Sequence, residues 1–119
     1  MIRAGGMSIG GATGSLNPAF NSWLNSGPSN VSVYLGLDNS GNAVYVGITN
    51  NIQRRQQEHG SRFSRLEEVH SGLTRNQARS VEQVYIRDNQ HFQNMRNEIS
   101  SSNQHYQDAI GWAENYLGK

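Results

Sequence analysis

Cysteine is absent from this chain. That excludes disulfides and thiolate metal sites, and it leaves the fold indifferent to the redox state of its compartment. Lysine is nearly absent too, with Lys119 alone against nine arginines. A cationic surface built this way is made of planar guanidinium forks, which pair well with phosphate oxygens. No apolar run approaches the roughly 18 residues needed to cross a bilayer. The opening stretch MIRAGGMSIGGATG lacks the apolar region of a secretory signal. No membrane partner is expected. Hydrophobic residues make up 34% of the 119, and mean hydropathy is −0.71, so one domain with a modest core is expected.

Charge is the next constraint. The net value is +1, but the distribution is uneven. Between Gln53 and Arg96 eight arginines stand against five acidic residues. This local excess is compatible with a nucleic-acid surface and equally with a solvated mixed-charge one.

Residues 1–29 differ from the rest. They are rich in Gly, Ser and Asn and hold both prolines, the composition of a linker or leader. Within them NPAFNSWLN sets Phe20, Trp23 and Leu24 at one-turn spacing, which predicts a short helix docked on the domain, because exposed Trp and Phe together are costly. The folded domain is expected over 30–119. VSVYLGLD and AVYVGI read as strands, and the turn cluster NSGN joins them into a β-hairpin. Asn50 or Asn51 caps a helix running to Gly60. RLEEVHSG reads as a third strand. Thr74 opens a long helix to about Asp88, with Gln77 completing a capping box. In the last segment Tyr106, Ala109, Ile110, Ala113, Tyr116 and Leu117 share one helical face. These elements make an α+β domain, a small antiparallel sheet flanked by helices.

Two helices break their own patterns. On the first, Arg55, Gln56 and His59 lie within about 60° of the lone aliphatic residue, Ile52. On the second, Glu82 sits inside the apolar stripe of Ala78, Val81, Tyr85 and Ile86, with Val84 at its edge. A carboxylate there is expensive unless it is paired or holds a cation. The bland reading is an arginine snorkelling to solvent and a buried ion pair. The functional reading is a polar cleft between the two helices, where opposite charges converge. The tyrosines of the hairpin, Tyr34 and Tyr45, share a face only if the turn and register allow it.

The stretch SVYLGLDNSGNAVYVGITNNIQRRQQEH resembles the opening of the GIY-YIG nuclease domain. SVY (Ser32, Val33, Tyr34) stands for the first tripeptide and YVG (Tyr45, Val46, Gly47) for the second. Arg55 follows ten residues after Tyr45, and His59 four later. ARSVEQVYI supplies Glu82 on a later helix. NMRNEIS offers Asn94 and Asn97 for the asparagine that follows in the family, with Asn97 preferred for the EIS after it. The resemblance spans about Val31 to Ser100. Two departures stand out. Ser32 replaces the first glycine, and Ile48 occupies a position where some members carry lysine. Phosphate contacts would then come from Arg54, Arg62 or Arg79.

The resemblance implies phosphodiester hydrolysis. Glu82 would hold a divalent cation, Mg²⁺ or Mn²⁺, which takes oxygen ligands and keeps most of its waters. Arg55 would grip the scissile phosphate. Either Tyr34 or Tyr45 would accept or relay the proton of the attacking water, and His59 would orient a tyrosine or act as base. The expected partner is nucleic acid, DNA favoured and RNA the alternative. The Gly/Ser-rich leader, the lack of a second DNA-binding domain and the nearly neutral, Arg-rich chain point to the toxin module of a delivered effector. Such a module acts in the target-cell cytoplasm and is matched by an immunity protein. A stand-alone cytoplasmic restriction or repair nuclease, and an inactive nucleic-acid-binding module, are the alternatives.

Overall fold

In the computed structural model the chain is described over residues 17–93, 99–100 and 102–119. The alternating segments form β1 (Val31–Leu37) and β2 (Ala43–Thr49), and the third strand is β3 (Arg65–Leu73). They make one antiparallel sheet in the order β2–β1–β3. Asp38 organises the connection of the hairpin. Its Oδ1 accepts from the Ser40 and Asn42 amides, each at 2.9 Å, and Gly41 turns the chain at φ 82°, a conformation that side chains resist.

Register decides what the hairpin presents. Tyr34 lies opposite Gly47, and Gly36 opposite Tyr45. Directly opposed residues share a face, as do residues two apart along a strand. The odd separation of Tyr34 and Tyr45 therefore brings both to the same face. The other face carries Val31, Val33 and Val46, which pack with Ala78, Val81 and Val84.

Among the described residues four helices complete the fold: α1 (Pro18–Leu24), α2 (Ile52–His59), α3 (Arg75–Asp88) and α4 (Tyr106–Tyr116). Asn51, rather than Asn50, caps α2, its side chain accepting from the Arg54 amide at 3.0 Å. The helix stops at Gly60, φ 58°. Thr74 and Gln77 form the expected capping box of α3. That helix is buried over more of its girth than one stripe, because the sheet and α4 cover it from different sides. Ser80 and Gln83 are buried along with Glu82. Ser80 Oγ donates back to Asn76 O, and Gln83 Oε1 accepts from the Ile99 amide.

On α4 the small residues Ala109 and Ala113 are the buried ones, which lets the helix approach closely. Tyr116, expected on one helical face with these alanines, lies at the rim of that face and is exposed. It stacks on Trp112 with ring centroids 5.3 Å apart. Large side chains cannot follow the alanines into so close a contact.

The helix expected within the leader docks. Phe20 and Leu24 are buried against Ile99 and Ala109. The Thr74 hydroxyl donates to Leu24 O at 2.5 Å, and Asn76 Nδ2 to Trp23 O at 2.8 Å. The cap of α3 thus also ties down the end of α1.

Candidate active site

Tyr34 is the anchor of the site. It stands on the central strand and is 1% exposed. Its ring has room because the residue opposite is Gly47, where any Cβ would overlap the Tyr34 hydroxyl and ring. The glycine of YVG is thus a steric requirement of the tyrosine across from it. Burial pushes the Tyr34 hydroxyl well above the usual phenol range, and its neighbour Tyr45 adds to this. Arg55 pulls the other way and Glu82 reinforces the rise, so both charges are felt at the phenol oxygen.

Helix α2 presents the face expected of it. Ile52, Arg55, Gln56 and His59 are half-buried, while Gln53, Arg54, Gln57 and Glu58 are exposed. Gln56 pins the helix to the sheet, its Oε1 accepting from the Leu66 amide at 2.9 Å. His59 Nε2 lies 3.0 Å from the Tyr34 hydroxyl. Burial lowers the basicity of His59, and Arg62 and Arg55 lower it further, against a smaller opposite effect of Glu58. These effects favour the neutral imidazole of His59.

An aromatic wall surrounds this pair. Tyr45 lies 5.6 Å from His59, and Phe63 packs against both at 5.1 and 5.0 Å between ring centroids. Phe63 covers Gly36, where a Cβ would sit 3.0 Å from its ring. The Arg62 guanidinium lies over Tyr45 and Phe63, 4.9 and 4.8 Å from the ring centroids, and donates to Gln93 Oε1 at 3.2 Å.

Beside the wall opens a cleft of about 230 Å³, lined by Tyr34, Tyr45, Arg55, Arg75, Arg79 and Glu82, with Gly47 and Ile48 also in its lining. The two sequence anomalies, Arg55 on α2 and Glu82 on α3, thus border one space. Arg55 Nε lies 3.4 Å from Glu58 Oε1, an ion-pair distance without the geometry of a hydrogen bond. Glu82 as a residue is 3% exposed.

The expected phosphate contacts divide. Arg79 lines the cleft and Arg62 stacks on the wall. Arg54 is turned to solvent, within 3.7 Å of Glu58 and bonded to Asn50 Oδ1, and it does not line the cleft. Asn94 and Asn97 lie outside the described residues. Sequence reasoning missed Arg75 and Phe63. Arg75, Arg79 and Glu82 recur at i, i+4 and i+7 along one face of α3, a signal that was there to find. Phe63, a lone apolar residue in GSRFSR, carried none. Ser32, in the place of the first glycine, donates its hydroxyl to Glu68 Oε2 at 2.5 Å across to β3.

Among the described residues no group of three or more His, Cys, Asp or Glu side chains could cage a metal. A single carboxylate suits a cation such as Mg²⁺, which is commonly held by one or two carboxylates, its own waters and substrate phosphates. The donor set fits a cation shared with the substrate and does not fit a self-sufficient metal cage. No described helix is long and apolar enough to cross a membrane.

Compared with known families, residues 30–87 match the GIY-YIG catalytic domain. No curated protein and no solved structure gives a significant match.

Proposed function

We propose, from the premise that residues 30–87 belong to the GIY-YIG catalytic domain family and so support a nuclease acting on nucleic acid, that the chain is a metal-dependent endonuclease whose centre is the cleft between the hairpin, α2 and α3. The observation that carries the proposal is the convergence of Tyr34, Tyr45, Arg55 and Glu82 on that cleft from four separate elements, with His59 bonded to the Tyr34 hydroxyl.

The chemistry follows from these positions. Phosphodiester hydrolysis forms a bond from a water oxygen to phosphorus and breaks the bond from phosphorus to a sugar oxygen. Members of the family generally use a divalent cation, and Mg²⁺ or Mn²⁺ held here at Glu82 would stabilise charge on the leaving oxygen. Arg55 grips the non-bridging oxygens and gains strength as charge builds on them. Tyr34 is a poor source of phenolate, because burial disfavours its charged form. The contact with His59 removes that difficulty. As Tyr34 Oη takes the proton of the attacking water, it passes its own to His59 Nε2. The proton rests on the imidazole, and no free phenolate forms. This requires the His59 tautomer protonated at Nδ1. Tyr45 and Phe63 hold the imidazole in place from the side.

DNA is the favoured substrate, with RNA the alternative. The role we propose is a toxin module delivered into a target cell and neutralised by an immunity protein. The Gly/Ser-rich composition of the leader supports attachment to something upstream. A test of both levels uses purified protein with plasmid DNA and, separately, total transfer RNA, each with Mg²⁺ and with chelator, beside Glu82→Ala. Cleavage that needs both the metal and Glu82 is the expected result. Folded protein that cuts neither would point to a binding module. Expression that harms a host lacking a cognate partner is the result expected of a toxin, and harmless expression of active enzyme would contradict that role.

A further inference from the structure

We propose that Arg75 and Arg79 form a second phosphate subsite, which holds the nucleic-acid backbone next to the scissile phosphate along the N-terminal half of α3. The inference rests on the nuclease reading and deepens it. Both side chains line the cleft that holds Arg55 and Glu82. They are one helical turn apart, so their Cβ atoms are separated by about 5–6 Å, and Glu82 follows three residues after Arg79 on the same face. Among the described residues neither Arg75 nor Arg79 is in an ion pair or a side-chain hydrogen bond. Arg54 and Arg87, by contrast, are each paired with acids. Two unneutralised guanidiniums in a row beside a carboxylate make a track for successive anions.

The lining of the cleft requires such a track. Ile48 is part of that lining and offers no donor to a phosphate, so the cations must come from the other lining residues. Arg55 on α2 faces one phosphate, the one that reacts. Arg79 and then Arg75 lead away from Glu82 toward the start of α3. A strand laid along this line places the scissile phosphate between Arg55 and Glu82 and a neighbouring phosphate at Arg79. Contact with the polymer backbone, independent of base, is what the guanidinium fork provides.

Binding of a short labelled duplex, measured by fluorescence anisotropy in chelator across a series of salt concentrations, tests this. Each phosphate contact contributes about 0.9 to the slope of log affinity against log salt. Arg75→Gln and Arg79→Gln should each lower that slope by about one, and the double variant by about two. Arg75→Lys and Arg79→Lys, which keep the charge, should restore most of it. Arg87→Gln, equal in charge but remote from the cleft, should leave it unchanged. Wild-type binding whose slope is indifferent to Arg75 and Arg79 would overturn the subsite and leave the nuclease reading standing. A wild-type chain that binds no duplex or single strand even at low salt would overturn both.

Discussion

The hydroxyl of Tyr34, on the central strand, lies 3.0 Å from Nε2 of His59, in the last turn of α2. This contact explains why a helix with a single aliphatic residue turns a histidine inward. The histidine meets the most deeply buried phenol of the chain. Tyr34→Phe keeps the ring and removes the contact. Cleavage is expected to fall by about 10²-fold or more, the scale of a lost proton-transfer group. Stability should change by only about 1 kcal/mol. Single-turnover rates and a denaturant melt of the same variant check both halves. An unchanged rate would remove Tyr34 from the relay.

The relay needs a neutral imidazole, and that fixes the sign of its pH dependence. Burial, Arg62 and Arg55 hold His59 below the usual histidine range. Below the pKa of His59 the imidazole is already protonated and cannot accept. The rate should therefore climb with pH through a value under about 6.5 and level off above it. Arg62→Gln removes one of the lowering charges and should move the rising limb to higher pH. Proton NMR titration of the His59 ring, in wild type and variant, reads the same shift without activity. A rising limb that ignores Arg62 would contradict the assignment.

Gly47 tests the steric half of the site. A Cβ at this position would overlap the hydroxyl and ring of Tyr34, and a buried ring has little space to retreat. Gly47→Ala should destabilise the fold by about 1–3 kcal/mol. It should also slow cleavage by about 10²-fold, because small displacements of a reacting group are expensive. A melt and a rate measured together separate these effects from simple unfolding.

Much of this site was legible in the chain, for identifiable reasons. Alternation gave the hairpin, and Thr74 with Gln77 gave the start of α3, because capping and pleating are local. Arg55 and Glu82 were legible as misfits in otherwise consistent helical faces. Their meeting in one cleft, and the shared face of Tyr34 and Tyr45, depended on register, which is a tertiary property. Arg54 and Arg79 look alike in the sequence, but the first is turned to solvent and paired with Glu58 while the second lines the cleft. Helical phase against the sheet separates them, and composition carries no trace of it. Tyr116 shares the apolar face of α4 but lies at its rim, since the close packing of Ala109 and Ala113 leaves no room for larger residues.

The docking of α1 gives a prediction outside the site. Phe20 is fully buried between Trp23 and His105, with each ring centroid 6.0 Å away. Phe20→Ala should cost about 3–4 kcal/mol, read as a lower denaturation midpoint for the whole domain. A midpoint equal to wild type would mean that the helix contributes nothing to the stability of the domain.

Cleavage of a defined end-labelled duplex in heavy-oxygen water, with Mg²⁺, tests the central claim most directly, because it asks what attacks the phosphate. The account predicts one heavy oxygen in the terminal phosphate left by each scission, an unlabelled hydroxyl on the opposite end, and no product from Glu82→Ala. An unlabelled terminal phosphate, or equal cutting by Glu82→Ala, would contradict hydrolysis at this cleft.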